Sequence, residues 1–289
     1  MNCFNGEKYL REAIKSVLNQ SYTNWELIFW DNLSTDKSGE IFKSFNDVRL
    51  KYYRASTHAN ILYTAKNFAL KKANGDFIAF LDVDDWWLPK KLETQIPLFK
   101  DNEVGIVYGN FYRFFEKKNK KKIFRKKLPS GNILDYLLND YVIGSPTYVI
   151  RKKILEEKNC TFDNRYHIIG DFDLNIRIAS KWKIGCVQNP TAFARIHGKN
   201  ESLLNKEKEI EELKNWHYEA KSNHIISKSK EFNKIPLKIS YLEISNNVLK
   251  DKFSKNFLKV LKYPLSLNKI KLIIALFLPK FILRKIRIH

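Results

Sequence analysis

Three carboxylates, Asp82, Asp84 and Asp85, lie close together in the segment FLDVDDWWLP. They directly follow the apolar run FIAFL, which is typical of a buried strand. Carboxylate oxygens are the ligands that Mg²⁺ and Mn²⁺ prefer, often in combination with phosphate oxygens. A metal held in this way neutralises a diphosphate and stabilises it as a leaving group. The segment alone is equally compatible with carboxylates that cap the helix expected after it.

Alternating strand and helix patterns predict the elements that position these carboxylates. The apolar runs WELIFW and DFIAFL indicate strands covered on both faces, and helical spacing follows each of them. This alternation predicts β-α-β units and a mostly parallel sheet. Ligands of such sheets bind beyond the carboxyl ends of the strands. Because one strand ends at Asp31 and another at Asp82, we expect both side chains at the binding edge.

A second group of polar side chains is predicted in the later part of the chain. GDFDLNIRIASKW has the pattern of an amphipathic helix, and its first turn contains Asp171 and Asp173. ARIHGKNES then predicts an extended segment followed by a loop. From residue 205 onward the chain is predicted to be helical and increasingly basic.

The composition indicates a folded protein. Of its 289 residues, 44% are hydrophobic and 14% aromatic, which is enough for one large or two small cores. Cys3, Cys160 and Cys186 are far apart and form no CxxC pair, which favours a reducing compartment and no structural zinc. The first residues lack the apolar region of a signal peptide, and no run reaches the roughly 18 apolar residues of a membrane span.

The positive charge is large and unevenly distributed. The 52 Lys+Arg and 31 Asp+Glu give a net charge of +21, a field that attracts polyanions. The segment KKNKKKIFRKK (117–127) contains eight basic residues, and residues 252–289 contain ten with no Asp or Glu. A nucleic-acid-binding protein and a protein at an anionic membrane both fit this charge. Nucleic acid is the less expected partner, because it leaves the aspartates at two strand ends unexplained.

Four segments, taken in order, resemble the family 2 glycosyltransferases over about residues 2–202: NCFNGEKYLREAIKSVLNQSYTNWELIFWDNLSTDKS, AKNFALKKANGDFIAFLDVDDWWLPKKL, FDNRYHIIGDFDLNIRIA and ARIHGKNES. The resemblance implies a GT-A fold, a mixed and mostly parallel sheet flanked by helices. It implies a catalytic domain at 1–204, with a nucleotide-sugar half (1–110) and an acceptor half (111–204). A helical, basic C-terminal extension follows at 205–289.

The resemblance also implies the roles of individual residues. An aspartate in a GDFDL-like motif would be the catalytic base, which here is Asp171. Asp84 and His197 would bind Mn²⁺ or Mg²⁺. Contacts with the nucleotide sugar are implied for Asn5, Asp31 (to the base), Asn67, Asp82 and Arg195 (to phosphate).

Several roles stay open at this stage. Lys66 and Asn67 match a pair expected near the diphosphate, but a structural helix role is equally compatible. Asp173 is an alternative to Asp171, because Gly170 replaces the glutamate that the family commonly has there. Asp85 is expected to cap the following helix.

The resulting prediction is an inverting hexosyltransferase in cell-surface polysaccharide synthesis. Its donor would be a nucleotide-diphosphate sugar and its acceptor a glycan or a lipid-linked sugar. The basic C-terminal tail, with its apolar run Leu272–Leu278, predicts a cytoplasmic protein bound peripherally to the inner face of the membrane through anionic lipid. The alternatives are a catalytically impaired fragment, since the chain starts four residues before Asn5, and a basic nucleic-acid-binding protein.

Overall fold

The computed structural model describes residues 1–157, 160–250 and 257–278. The chain divides into two compact units, Met1–Glu201 and Ser202–His289. Within the described residues, no helix has the length and hydrophobicity needed to cross a membrane.

The first unit contains strands that form two sheets. Their bounds are β1 (Asn2–Cys3), β2 (Leu27–Asp31), β3 (Leu50–Arg54), β4 (Phe77–Ala79), β5 (Trp86–Trp87), β6 (Val104–Phe115), β7 (Lys120–Ile123), β8 (Val149–Arg151) and β9 (Lys183–Ile196). Its helices are α1 (Glu7–Leu18), α2 (Ser38–Lys43), α3 (Leu62–Leu70), α4 (Lys91–Gln95), α5 (Leu134–Asn139), α6 (Lys152–Leu155) and α7 (Gly170–Ala179).

The first sheet is parallel, with the strand order β1-β2-β3. Helices connect these strands, as parallel pairing requires. A parallel bridge between Asn2 and Asp82 joins β1 to the segment that follows β4. The carboxyl ends of β1, β2 and β4 therefore meet at one edge, as the sequence predicts.

The second sheet is mixed, as the resemblance implies, and most of its strand pairs are antiparallel. Its order is β4-β8-β6-β9-β5, with β7 paired to β6, and only β6 and β9 run parallel. The other pairs, β4-β8, β6-β8, β5-β9 and β6-β7, are antiparallel. Strands β6 and β7 form a hairpin with a short turn, and such a connection can join only antiparallel strands.

The β6–β7 hairpin contains most of the basic run 117–127. The lysine side chains from 117 to 122 are all exposed. At the end of β6, Glu116 accepts hydrogen bonds from Tyr9 and Lys8 of α1. Strand β6 runs parallel to β9, with Phe115 opposite Ile196. The hairpin therefore extends beyond the edge of the sheet at which β9 ends.

The main core of the first unit lies where α1 packs against the sheets. Helix α1 buries Leu10, Ala13, Ile14 and Val17, whose spacing places them on one face. They belong to one cluster with buried residues of β2, β6 and β8, including Phe29.

A cavity with a volume of about 470 cubic ångström (Å³) lies between β2 and β4. The Met1 α-amino group lines it and donates to the Ile28 carbonyl at 2.8 Å. Burial lowers the pKa of this amine to about 5. None of the carboxylates that the sequence places in the site lines this cavity, whereas Lys66 of α3 does.

The described part of the second unit is helical, as predicted. Its helices are α8 (Glu201–Leu204, which starts at the last residue of the first unit), α9 (Lys206–Ala220), α10 (His224–Ser227), α11 (Ile235–Lys250), α12 (Phe257–Lys262) and α13 (Leu267–Phe277). A core of its own includes Ile244, Val248, Val260, Leu272 and Leu276. The last residues of the predicted tail, 279–289, lie outside the described residues.

Candidate active site

The acidic segment after β4 lies against the start of α1. A Cβ atom on Gly6 would come within 2.8 Å of the Val83 side chain. Glycine at this position therefore allows the helix to approach the acidic segment closely. The bridge between Asn2 and Asp82 fixes the same segment from the other side.

Asp82 forms an ion pair with Lys66 of α3. The Lys66 Nζ lies 2.9 Å from the Asp82 Oδ1, and the lysine is 4% exposed. The Ser145 hydroxyl donates to Oδ2 at 3.0 Å. Burial opposes ionisation of Asp82, but the Lys66 ammonium and the hydrogen bonds outweigh it and hold its pKa below the usual range. Asp82 is therefore a carboxylate with a permanent cationic partner.

Asp84 is paired with His197 from the loop after β9. The His197 Nε2 lies 3.0 Å from the Asp84 Oδ2, and the Asn200 side-chain amide approaches the same oxygen at 3.5 Å. Burial and the charge of Asp82 raise the pKa of Asp84, and His197 partly offsets them. Two residues that the sequence predicts as metal ligands are thus in direct contact.

Asp85 fixes strand β9 to the acidic segment. Its buried Oδ1 accepts the backbone N–H of Arg195 at 2.8 Å. The prediction that Asp85 caps the next helix is wrong, because α4 begins after Lys90 and has no side-chain cap. Burial and the charges of Asp84 and Asp82 raise the pKa of Asp85 well above its usual value.

The Arg195 guanidinium is occupied by protein groups. Its Nε donates to the Asp84 carbonyl at 2.9 Å, and Nη2 pairs with Glu12 of α1. The rings of Tyr9 and Trp86 each lie 4.5 Å from the guanidinium carbon. Through these contacts Arg195 holds α1, the acidic segment and β9 together. Its contact with phosphate stays a prediction.

Asp31 is buried at the end of β2, with no exposed surface. Its Oδ1 accepts the Ser34 N–H at 2.7 Å, and the Tyr52 hydroxyl donates to its Oδ2 at 2.6 Å. Arg54 lies 3.6 Å from the same oxygen. A carboxylate enclosed in this way stabilises the turn after β2. Its contact with a nucleobase stays a prediction.

Asp171 is half-buried in the first turn of α7. Burial raises its pKa. The Lys66 ammonium, the Phe172 N–H and the Tyr63 hydroxyl offset part of that rise, and the charge of Asp82 adds to it. Asp171 is therefore close enough to the Lys66–Asp82 pair to respond to both charges. A carboxylate with a raised pKa is suited to accept a proton.

Asp173, the alternative to Asp171, has a structural partner. It is buried and forms an ion pair with Arg177, one turn further along α7, at 2.7 Å. Its charge thereby stabilises the helix, which leaves Asp171 as the better candidate for a base.

The presence of glycine at position 170 has a steric reason. A Cβ atom there would lie 2.3 Å from the Tyr63 ring of α3. Tyr63 and Gly170 together bring α3, which contains Lys66, against the first turn of α7. The absence of a glutamate before Asp171 thus follows from this packing.

Asn5 and Asn67 differ in their surroundings. Asn5 is exposed, and its Oδ1 accepts the Thr35 N–H at 2.8 Å, which joins the loops after β1 and β2. Its contact with a ligand stays a prediction. The Asn67 Nδ2 donates to Phe162 and to Asn164. Its contact with the nucleotide sugar also stays a prediction, and the neighbouring Lys66 is the residue of this pair that contacts Asp82.

The sequence gives no separate signal for three polar residues of the site. Lys66 matches a motif only as a pair with Asn67, and Ser145 and Asn200 lie in segments without a recognisable motif. A lysine buried in a helix beside an acidic strand end is the one usable hint, because a buried ammonium requires a partner.

The protein ligands fit a divalent cation only in part. No cluster of three or more His, Cys, Asp or Glu side chains that could bind a metal occurs among residues 1–157, 160–250 and 257–278. Asp84 and His197 supply two donors. Such a pair suits a cation that completes its coordination with phosphate oxygens and water.

A family model described as "Glycosyl transferase family 2" matches residues 1–177. The chain belongs to this family. The matched residues include the acidic segment and Asp171, and β9 with Arg195 and His197 lies beyond them.

Two Escherichia coli proteins of this family are similar in sequence. The UDP-Glc:alpha-D-GlcNAc-diphosphoundecaprenol beta-1,3-glucosyltransferase WfgD is 37% identical over 54% of this chain and 60% of its own length. The enzyme WfaP, with the same activity in its name, is 34% identical over 38% of this chain and 43% of its own. The matches thus cover less than two thirds of either relative.

The fold is similar to that of S. aureus TarS. The crystal structure of TarS 1-349 in complex with UDP-GlcNAc gives a TM-score of 0.64 at 18% identity and covers 95% of this chain and 77% of that chain. With the family match, this similarity confirms the GT-A fold class.

Proposed function

We propose that this family 2 protein is an inverting glycosyltransferase. It would transfer a sugar from a nucleotide-diphosphate sugar to a hydroxyl group of a glycan or lipid-linked acceptor. The observation that supports this most directly is the position of Asp171. Among the described residues Asp171 has no ion pair, and its pKa is raised. It responds to the charges of the Lys66–Asp82 pair, and Asp82 lies two residues before Asp84, which contacts His197.

The donor would bind at the edge formed by β1, β2 and the acidic segment. Asp84 and His197 would hold Mn²⁺ or Mg²⁺, which when bound neutralises the diphosphate as it leaves. Lys66 and Ser145 hold the Asp82 carboxylate in one orientation, and Asp82 would face the sugar and ribose hydroxyls. Arg195 acts as a positioning residue, since it fixes the segment on which Asp84 lies.

The proposed proton acceptor is the Asp171 carboxylate. The acceptor hydroxyl gives its proton to Asp171 as its oxygen forms a bond to the anomeric carbon. The bond from that carbon to the diphosphate oxygen breaks, and its electron pair leaves with the diphosphate. Attack from the face opposite the leaving group inverts the anomeric centre.

The names of the relatives suggest the substrate class. WfgD and WfaP use UDP-glucose and a lipid-diphosphate acceptor by name, and TarS binds UDP-GlcNAc. We therefore place UDP-sugars first among the donors, and a lipid-linked sugar in cell-surface polysaccharide synthesis first among the acceptors. The protein would act at the cytoplasmic face of the membrane, bound to anionic lipid through its C-terminal residues.

Calorimetric titration with UDP-, GDP- and dTDP-sugars in the presence of Mn²⁺ tests the donor site. We expect a UDP-sugar to bind, and Asp84→Asn to abolish the Mn²⁺-dependent part of the binding. Asp76→Asn is the matched control, because Asp76 is an exposed carboxylate just before β4. The anomeric coupling constant of the product in NMR spectra reports inversion. Retention of configuration, or RNA binding without any sugar-nucleotide binding, would overturn the proposal.

A further inference from the structure

Exposed apolar side chains are concentrated in the last two described helices. In the described part of the chain, 20 large hydrophobic side chains are exposed, and nine of them lie within residues 257–277. Leu265, between α12 and α13, is 90% exposed, and Leu267, the first residue of α13, is 76% exposed. Such a concentration exceeds the scattered apolar residues of an ordinary soluble surface and marks an interaction site.

Helix α13 is apolar on two faces. One face, with Leu272 and Leu276, is buried in the core of the second unit. The other contains Leu267, Ile270, Ile274 and Phe277, whose spacing of three, four and three residues forms one continuous stripe. The first face accounts for the folding of the helix, and the exposed stripe requires a separate explanation.

The charges around this stripe restrict what it can bind. Residues 257–278 contain no Asp or Glu and four lysines: Lys259, Lys262, Lys269 and Lys271. Lys269 also donates to the Leu261 carbonyl, which joins α13 to α12. A second copy of this chain would bring the same four lysines against these four, and like charges would repel. An anionic surface with an apolar interior complements both features.

We infer that the exposed face of α12 and α13 inserts into the headgroup region of an anionic lipid bilayer. The stripe lies flat, since 11 helical residues extend only about 16 Å and the hydrocarbon core is about 30 Å thick. The apolar side chains enter the acyl boundary and the lysines contact lipid phosphates. This inference rests on the proposed membrane location and assigns it to particular side chains.

Cosedimentation of the full chain with vesicles of phosphatidylglycerol and phosphatidylcholine tests this inference. The test variant is Ile270→Gln/Ile274→Gln/Phe277→Gln. The control variant is Val48→Gln/Leu98→Gln/Leu204→Gln, which makes the same chemical change at exposed positions elsewhere. We expect the test variant to lose at least about tenfold in vesicle partitioning, and the control to bind as the wild type does. Circular dichroism and calorimetric donor binding, measured in parallel, confirm that each variant is folded.

Two results would overturn the inference. One is equal vesicle binding by the test variant and the wild type. The other is a wild type that dimerises without binding vesicles and becomes monomeric in the test variant, which would make the stripe an interface between copies. Transfer to a water-soluble acceptor, measured on the same samples, tests the proposed enzymatic function independently. Loss of vesicle binding with transfer retained supports the membrane inference, whereas absence of transfer from the wild type concerns only the proposed function.

Discussion

The two charged regions at the edge of the first unit differ in how their charges are balanced. In the acidic segment, Asp82 is paired with Lys66, Asp84 with His197, and Asp85 with the Arg195 backbone. At the start of α7, Asp171 has no ion pair among the described residues. Their contacts hold the carboxylates of the first region in place before any ligand arrives, whereas Asp171, without a fixed cation, is available to accept a proton. A charge with a fixed partner, here called balanced, positions neighbouring groups. A charge without one, here called unbalanced, is available for chemistry.

The largest effect is expected for Asp171→Asn, which removes the unbalanced carboxylate. Loss of a general base lowers the rate of sugar transfer by about 10²–10⁴-fold, and donor affinity stays unchanged. Asp173→Asn is the control in the same helical turn. It breaks the pair with Arg177 and lowers thermal stability, and it leaves transfer near the wild-type rate. If Asp173→Asn instead removes transfer, the two aspartates have the opposite roles.

Removal of a balanced charge is expected to affect stability first. Lys66→Met leaves Asp82 without its cation in a largely enclosed site and lowers the free energy of unfolding by about 3 kcal/mol. Urea denaturation measures this change. Lys72→Met, at an exposed position just after α3, should change it by less than about 0.5 kcal/mol. Equal effects of the two variants would show that the Lys66–Asp82 pair contributes little.

The contact between the two regions can be tested through Gly170. In Gly170→Ala the new methyl group meets the Tyr63 ring, so α3 and α7 must separate, at a cost of about 1–3 kcal/mol. Transfer should fall with stability, because Asp171 moves away from the donor edge. In a Tyr63→Ala background, where the ring is absent, Gly170→Ala should lower stability in urea denaturation by less than it does in the wild type. An equal loss in both backgrounds would indicate that another contact is responsible.

The smallest effect is expected for Lys91, a buried lysine without a carboxylate. It is 1% exposed and donates to Gln95 at 2.6 Å, and burial lowers its pKa to about 7. In the unfolded chain its pKa is near 10.4. Between these values the unfolded state binds more protons, so wild-type stability rises with pH from about 7 to 10.

Lys91→Met removes this buried amine. It should raise the free energy of unfolding at pH 6 by about 1 kcal/mol, since loss of the Gln95 hydrogen bond offsets part of the gain. The advantage should shrink towards pH 10, as thermal denaturation across this range would show. A destabilised variant at pH 6 would mean that the hydrogen bond and the Trp87 ring outweigh the desolvation of the amine.

The sequence predicts the strand ends at this edge of the first sheet well because each signal there is local. An apolar run that ends in an aspartate indicates a strand end, and β2 and the acidic segment after β4 are found as expected. Strand β7 was missed because Lys120–Ile123 has no strand pattern, and its pairing with β6 outweighs its composition. Adjacent helical residues point in directions about 100° apart, so sequence alone could not choose between Lys66 and Asn67.

The partners of Arg195 could not be predicted from the sequence, for a different reason. Glu12 and Arg195 are 183 positions apart, and only the packing of α1 against β9 brings them together. An arginine beside a proposed diphosphate site is naturally read as a phosphate ligand. In the structure, two of its side-chain nitrogens bind the Asp84 carbonyl and Glu12.

The exposed lysines of the β6–β7 hairpin have a kinetic consequence. They extend from the end of β6, where Glu116 contacts Tyr9 beside Arg195, and so surround the approach to the donor edge with positive potential. An anionic sugar nucleotide, the proposed donor, would be drawn towards this edge before any specific contact forms. Stopped-flow association should therefore slow steeply as ionic strength rises, because ions screen this attraction beyond about 10 Å at 0.1 M salt. Dissociation, which depends on short contacts, should change little, so the hairpin sets how fast the donor arrives rather than how long it stays.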